Sequence, residues 1–360
     1  MKQVYLQQLS VENYRNFSEF FIKLENGVNI IVGPNGSGKT NILESISFLS
    51  PGKGLKSAHF EEVSKDKKEK WITNFKLNSK LGIAEIISSY TRNDRSRKVL
   101  YNGSKISGSE LSNLLNVIWL TPQMEGLFLD SSSARRKFLD RIVYSFDSTH
   151  AKNIIKYDHY MRQRSKSIAG GDLKSQDTWL RTLEKQMAEA AFKIATAREK
   201  VISLMQGVID SLQTEFPKAE LAVTPLFESK EQWNDFESSY TQLLEESRRK
   251  DYYSGRTNFG VHKTDLNVFH KEKMLAAKLC STGEQKALLI SIVLASIESV
   301  IQNTQTTPIL LLDELFVHLD DTRKNYLASY IMQGKLQTFI TTTDTIGIED
   351  LASKAHIIKL

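Results

Sequence analysis

The octapeptide Gly33-Pro34-Asn35-Gly36-Ser37-Gly38-Lys39-Thr40 constrains this chain more than any other stretch. It reads G-x-x-x-x-G-K-T, the Walker A pattern, in which a glycine-rich loop lets backbone N–H groups turn inward around phosphates. The context agrees on both sides. Val28-Asn29-Ile30-Ile31-Val32 is an apolar run with the length of a buried strand, and Asn41 to Leu49 carries Ile42, Ile46 and Leu49 on one helical face. A helix N-terminus behind such a loop adds partial positive charge. All eight loop residues are therefore expected to bind ATP. Lys39 would reach the β- and γ-phosphates as a catalytic cation, and Thr40 would hold Mg²⁺ through its hydroxyl. The loop commits the surrounding segments to an α/β fold.

A second acidic motif answers the first. Ile309 to Leu312 are apolar and lead into Asp313-Glu314. This suits a Walker B strand whose acids emerge at its C-terminal edge, Asp313 serving the metal and Glu314 positioning or deprotonating a water. Out of context, an apolar run ending in two acids is equally a capped core strand. Between the two lies Ser281-Thr282-Gly283-Glu284-Gln285, where a small hydroxyl residue and a glycine open a helix. Such a start lets a phosphate approach closely. It is also a sound N-cap with Glu284 as a capping-box acid. In the order Walker A, Gln123, Ser-x-Gly-x-Gln, Walker B, Leu319-Asp320, the set matches ABC-type ATPases. Gln123, Ser281 and Gly283 thereby join the expected ATP-binding residues.

Composition narrows the partners. The chain has 360 residues, a formal net charge of +6 and a pI of about 9.0. That suits an anionic partner such as nucleic acid, and equally a mildly basic protein without one. The single cysteine, Cys280, excludes internal disulfides and cysteine-rich metal sites, and fits a reducing cytoplasm. The first five residues lack the apolar core of a signal peptide, and Ala287–Ala295 is too short a run to span a bilayer. It reads as a buried helix.

Along the chain, residues 2–32 are expected as antiparallel strands, with Glu25-Asn26-Gly27 as a tight hairpin turn. Lysine-rich residues 53–70 suit a solvated loop or a phosphate-contacting surface, and Arg92, Arg95, Arg97 and Lys98 crowd another turn. Strands are expected at 71–75, 83–90, 98–101 and 117–120, with Asn102-Gly103 as a hairpin turn. From 131 to 215 the pattern is helical. Leu180, Leu183, Met187, Ala190, Ile194, Ala197, Val201, Leu204 and Val208 form a heptad seam. It is far too short for a long coiled-coil arm and suits a compact helical lobe. The expected division is a discontinuous head of 1–130 with 255–360, and an inserted lobe of 131–254.

These stretches together resemble the RecF family, bacterial recombination-repair ATPases related to the SMC heads. The resemblance rests on Asn13-Tyr14-Arg15-Asn16-Phe17, the Walker A loop, Thr121-Pro122 followed by Arg135-Arg136-Lys137-Phe138-Leu139-Asp140, Gly260 to Leu266, Ser281 to Lys286, and Leu312 to Asp320. It covers nearly the whole chain. Val261 replaces the usual proline, Cys280 a usual leucine, and Gln123 stands where relatives often carry Glu. The strand at 337–342 is followed by Thr343-Asp344, with no switch histidine. The resemblance implies a P-loop ABC/SMC-type head with mixed sheets and a helical lobe. It implies a cytoplasmic, ATP-dependent DNA-binding protein acting at single-strand gaps in DNA, with RecR, and RecO as a further candidate, to help load RecA. It also implies an ATP-dependent homodimer, a slow regulatory ATPase and no membrane partner. Which residues meet DNA is left open. The rival readings are an ABC-type transporter subunit and a nucleotide-gated scaffold outside DNA repair.

Overall fold

The computed structural model describes residues 4–79, 82–94, 96–171, 175–304, 306–316, 319–334 and 336–360. Arg95 of the expected basic turn, and Val317 and His318 ahead of Leu319, lie outside the described residues. The chain divides into two compact units. The first comprises Met1–Gly126, Val208–Lys218 and Cys280–Leu360, and the second Leu127–Gly207 and Ala219–Leu279.

The first unit opens with strands β1 (Tyr5–Tyr14), β2 (Phe17–Lys23) and β3 (Val28–Val32). They are followed by β4 (Lys70–Ser79), β5 (Gly82–Thr91), β6 (Arg97–Tyr101), β7 (Ser104–Ile106) and β8 (Val117–Leu120). An antiparallel sheet runs in the order β2-β1-β4-β5-β6-β7. Its strands alternate buried and exposed residues, as one packed face requires. Asn102 and Gly103 both take positive φ, 47° and 80°, and close the β6–β7 hairpin as their residue types predict.

The second unit carries β9 (Ala219–Val223), β10 (Leu266–His270) and β11 (Leu275–Ala276). The first unit resumes with β12 (Ile309–Asp313), β13 (Thr338–Thr342) and β14 (His356–Lys359). A parallel sheet of order β14-β3-β13-β12-β8 joins segments from both halves of the chain. β8, β12 and β13 are buried almost throughout because both faces are covered. The first and last segments share this sheet, as the absence of a polar linker predicts. The Glu25-Asn26-Gly27 expectation fails. β2 and β3 are not a hairpin: β2 stays on β1, while β3 enters the parallel sheet between β13 and β14. Gly27, with φ of 113°, makes the chain's change of sheet rather than a two-residue turn. The neighbours that claim Val28–Val32 are β13 and β14, more than 300 residues away in the chain.

Thr282–Thr304 has the length and mean hydropathy, 1.5, of a membrane span, yet 72% of that stretch is buried inside the fold. It is the core helix expected of Ala287–Ala295.

The second unit is built on helices Ser132–Val143, His150–Ala169, Asp177–Ser211 and Phe236–Ser254, with a three-stranded sheet β11-β10-β9. Leu180, Leu183, Met187, Ala190, Ile194 and Val201 of the expected seam are buried. Residues 255–279 pack here and not with the head, because β10 pairs with β9 and the Gly260–Leu266 element is tied to helical residues. The Arg135 guanidinium forks onto Asp265 at 2.9 and 2.6 Å, and Arg136 donates to the Thr264 carbonyl. Arg198 forks onto Asp140 and donates to the Val261 carbonyl. The Arg-Arg block and the 260–266 element are thus two halves of one ion-paired joint. Gly260 adopts φ of 135° beneath the Tyr157 and Tyr240 hydroxyls, where a side chain would collide. A second buried network centres on Arg164, which binds Glu184 at 2.9 Å and Asp251 at 2.6 Å; Arg248 also grips Glu184. Each buried charge has a partner, which is the condition for keeping it ionised inside.

Candidate nucleotide-binding site

The parallel sheet sets the site's geometry. Asp313 stands level with Thr341 on β13, and Thr342 with Val32 on β3, so the C-terminal edges of three strands align. The Gly33 N–H donates to the Thr342 carbonyl, which ties the start of the loop to that edge. In open α/β sheets this edge is where ligands bind.

The loop leads into the helix Lys39–Ser47, preceded by Gly38 at φ 107°; Gly36 has φ 83°. Both are conformations that side chains resist. A Cβ on Gly38 would also strike Phe17 and Asn16. Lys39 is 5% exposed, and its ammonium donates to the carbonyls of Gly33 and Pro34 at 2.7 and 3.1 Å. The Thr40 hydroxyl lies 3.0 and 3.1 Å from the two Asp313 carboxylate oxygens. Asp313 also accepts from the Thr341 hydroxyl at 2.6 Å, and the Glu314 N–H donates to that same hydroxyl. Glu314 sits at φ 50°, a strained position for a residue with a side chain.

These residues fit a magnesium nucleotide. The Ser37 hydroxyl is buried without a hydrogen-bond partner, a polar atom turned into the loop. The first N–H groups of the helix have no intrahelical acceptor. Among the described residues, no cluster of three or more His, Cys, Asp or Glu side chains could cage a metal. One hydroxyl and one carboxylate suit Mg²⁺, which is held by few protein groups together with phosphates.

The segment Asn13–Phe17 braces the loop. Arg15 forks onto Glu44 of the P-loop helix at 2.7 and 2.5 Å, and the Tyr14 hydroxyl donates to the same carboxylate at 3.3 Å. Burial beside that carboxylate raises the Tyr14 phenol well above its usual range. Asn16 donates to the Ser37 carbonyl and accepts from Asn41, whose own carbonyl oxygen accepts from Lys56. Thr341 and this brace were not singled out as site residues from the sequence. The partners lie 28 to 30 residues apart or more, beyond the reach of any local pattern.

The remaining expected residues stand differently. Ser281 donates to Glu284 through both its N–H and its hydroxyl at 2.9 Å, the reciprocal capping arrangement. Gly283 is exposed and a Cβ there would meet open space. Gln285 is buried and donates to the Cys280 carbonyl. Gln123 is exposed in a 3-10 turn, Pro122–Gly126, whose Glu125 pairs with Lys286 of the signature helix at 2.9 Å. No hydrogen bond or ion pair of the described residues joins Ser281–Gly283, or Gln123, to the loop Gly33–Thr40. The structure brings Walker A and Walker B together and leaves the signature facing solvent.

The model of the RecF/RecN/SMC N-terminal domain matches residues 5–359. The DNA replication and repair protein RecF of Rickettsia bellii is 47% identical over 362 residues, covering 100% of both chains. The chain belongs to the RecF family. A solved structure described as the recombination mediator protein RecF-ATPrS in the RecFOR pathway superposes with a TM-score of 0.87, covering 99% of this chain and 96% of that one at 23% identity. The Smc head domain derived from Pyrococcus furiosus, with 99% and 93% covered, gives 0.53 at 17% identity. Both likenesses speak for the fold, an SMC-type head of mixed α/β content with several sheets.

Proposed function

We propose that this chain is an ATP-gated DNA-binding protein of recombinational repair. The observation that carries the nucleotide half is the Thr40–Asp313 contact, which unites two motifs 273 residues apart at the mouth of the loop. Lys39 and the Gly33–Thr40 backbone would hold the phosphates, with Gln123, Ser281 and Gly283 as further contacts to nucleotide in the working state. Thr40 and Asp313 would hold Mg²⁺, which neutralises charge on the β- and γ-oxygens when bound. Thr341 fixes the Asp313 carboxylate, and Glu314 would orient the attacking water as its base. Hydrolysis in this reading is slow and regulatory.

The DNA half is supported by relatives named for DNA replication and repair, by the net charge of +6, and by lysines and arginines on the first unit. Lys53, Lys56, Lys65, Lys67, Lys68 and Lys70 are the phosphate-facing candidates. DNA at single-strand gaps, RecR and RecO, RecA loading and a cytoplasmic setting complete the proposal, since solved RecF proteins are described within the RecFOR pathway.

The deciding experiment is DNA binding across a salt series, with and without ATP–Mg²⁺, for wild type and Lys39→Ala. Affinity should fall steeply with salt, since phosphate contacts release counterions. Lys39→Ala should lose nucleotide binding in calorimetry and, with it, the ATP effect on DNA. A flat salt response, or equal binding by the variant in ATP, overturns the proposal. RecR capture on the same samples should favour the ATP-loaded form; equal capture without nucleotide removes RecR from it.

A further inference from the structure

Within the second unit, the helices His150–Ala169 and Phe236–Ser254 end side by side. Ser165, Ile168 and Ala169 of the first, with Asp251 and Tyr252 of the second and Gly255 and Arg256 just beyond it, line a shallow cleft. Residues 248–256 read Arg-Arg-Lys-Asp-Tyr-Tyr-Ser-Gly-Arg. Asp251, the one acid among them, is turned inward onto Arg164 at 2.6 Å, and Arg248 is turned onto Glu184. What faces solvent is Arg249, Lys250, Tyr252, Tyr253 and Arg256, with Lys166 on the neighbouring helix.

Two ordinary explanations fall short. Cations at a helix C-terminus offset its dipole, but each terminus carries only about half a negative charge. Four exposed cations at two termini, set against exposed Glu246 one turn back, therefore leave a positive excess. Single exposed aromatics need no explanation. Here two adjacent tyrosines are exposed, 46% and 74%, and hold an edge-to-face arrangement with centroids 5.4 Å apart. Tyr252 lines the cleft between the two helix ends. Tyr253 is the more exposed of the two.

We infer that this end of the helical unit is a binding surface for single-stranded nucleic acid, with Tyr253 as a stacking platform and Arg249, Lys250, Arg256 and Lys166 as phosphate contacts. Unpaired bases supply the flat π-faces and the strand supplies the negative charge, so one ligand satisfies both features. Stacking on an exposed ring is tolerant of sequence, and the flanking cations track the backbone. An acidic peptide would answer the charge and leave the exposed rings unused. The surface lies outside the nucleotide motifs and does not depend on the ATP cycle proposed above.

The test uses the full chain without nucleotide and a fluorescent thymidine dodecamer, read by anisotropy, beside an abasic strand of equal length and charge. The thymidine strand should bind more tightly than the abasic one. Tyr253→Ala should weaken thymidine binding about ten-fold and leave the abasic strand unaffected. Tyr253→Phe should bind like wild type, since the ring and not the hydroxyl stacks. Arg249→Ala with Lys250→Ala should flatten the salt dependence. ATP-dependent duplex binding, measured in parallel, should be unchanged in Tyr253→Ala, which separates failure of this surface from failure of the ATP-gated reading. Equal binding of abasic and thymidine strands, or Tyr253→Ala matching wild type, overturns the inference. So does a Tyr253→Ala defect confined to capture of a protein partner.

Discussion

Burial holds the His262 imidazole down to about 4, with neighbouring Lys263 and Arg136 acting in the same direction and the Thr257 carbonyl opposing. Its hydrogen bonds say why neutrality suits it. Nε2–H donates to the Thr257 carbonyl, so Nδ1 must accept from the Tyr157 hydroxyl at 2.9 Å, which in turn accepts from Tyr240. Protonating Nδ1 would reverse that chain and strand the Tyr240 hydrogen, because the Tyr240 oxygen already accepts from the Val261 N–H. A histidine whose folded pKa is depressed stabilises the fold fully above its unfolded pKa near 6.5. That stability drains away as pH falls toward 4, since only the unfolded chain takes the proton. A depression of that size is worth about 3 kcal/mol. Denaturant unfolding at pH 7 and pH 4 should therefore show wild type losing about 3 kcal/mol more than His262→Gln. Parallel losses in the two proteins would contradict the assignment.

Among the elements, the brace between the β1–β2 turn and the P-loop helix is the most consequential. Glu44 is fully buried and pairs with Arg15. Removing Arg15 alone strands a buried carboxylate, whereas replacing both partners with apolar residues removes the problem along with the bond. Arg15→Ala should cost about 3 kcal/mol, and Arg15→Met with Glu44→Leu should recover most of it. An Arg15→Ala protein within about 1 kcal/mol of wild type would show the brace to be decorative. This brace also marks where sequence reading stops. The P-loop strand and helix, the Asn102-Gly103 hairpin, the β12 acids and the long seam follow from local spacing, and each was legible. Glu25-Asn26-Gly27 looked the same as a hairpin because turn chemistry is local, while the choice of sheet is made by neighbours more than 300 residues away. Arg15–Glu44, Thr341–Asp313 and Arg135–Asp265 were invisible for the same reason: each residue is unremarkable until the fold brings its partner to it. In the 260–266 element, Asp265 is taken up by Arg135, and the Thr264 and Val261 carbonyls by Arg136 and Arg198, residues 63 to 130 positions away.

For the whole molecule, the solvent-facing signature is the open question with a definite answer. Ser281 and Gly283 are exposed and make no polar contact with the loop of their own chain among the described residues. We predict that the signature of a second copy meets that loop, each chain offering the same two surfaces across a two-fold axis. ATP then binds the pair far more tightly than the single chain and shifts the equilibrium toward it. Ser281→Arg puts a bulky cation into the loop and should block pairing while leaving ATP binding to one chain intact. Glu314→Gln should hold the ATP-loaded pair. Sedimentation of the three proteins with and without ATP–Mg²⁺ reads this directly. A monomeric Glu314→Gln at saturating ATP, or a Ser281→Arg protein that pairs like wild type, refutes it.

The parallel sheet has a consequence on the ribosome. β3 lies between β13 and β14, so the strand that carries the phosphate loop leaves the exit tunnel long before either neighbour exists. At about 5–20 residues per second, the roughly 300 residues separating it from β13 take about 15–60 s to make. Throughout that interval the nascent chain holds a complete phosphate-binding motif on a strand with no sheet to sit in. Asp313 and Thr341 arrive only at the close. A product stalled before β12 and β13 therefore carries the motif without Asp313 and Thr341, the residues that meet Thr40 across the sheet edge.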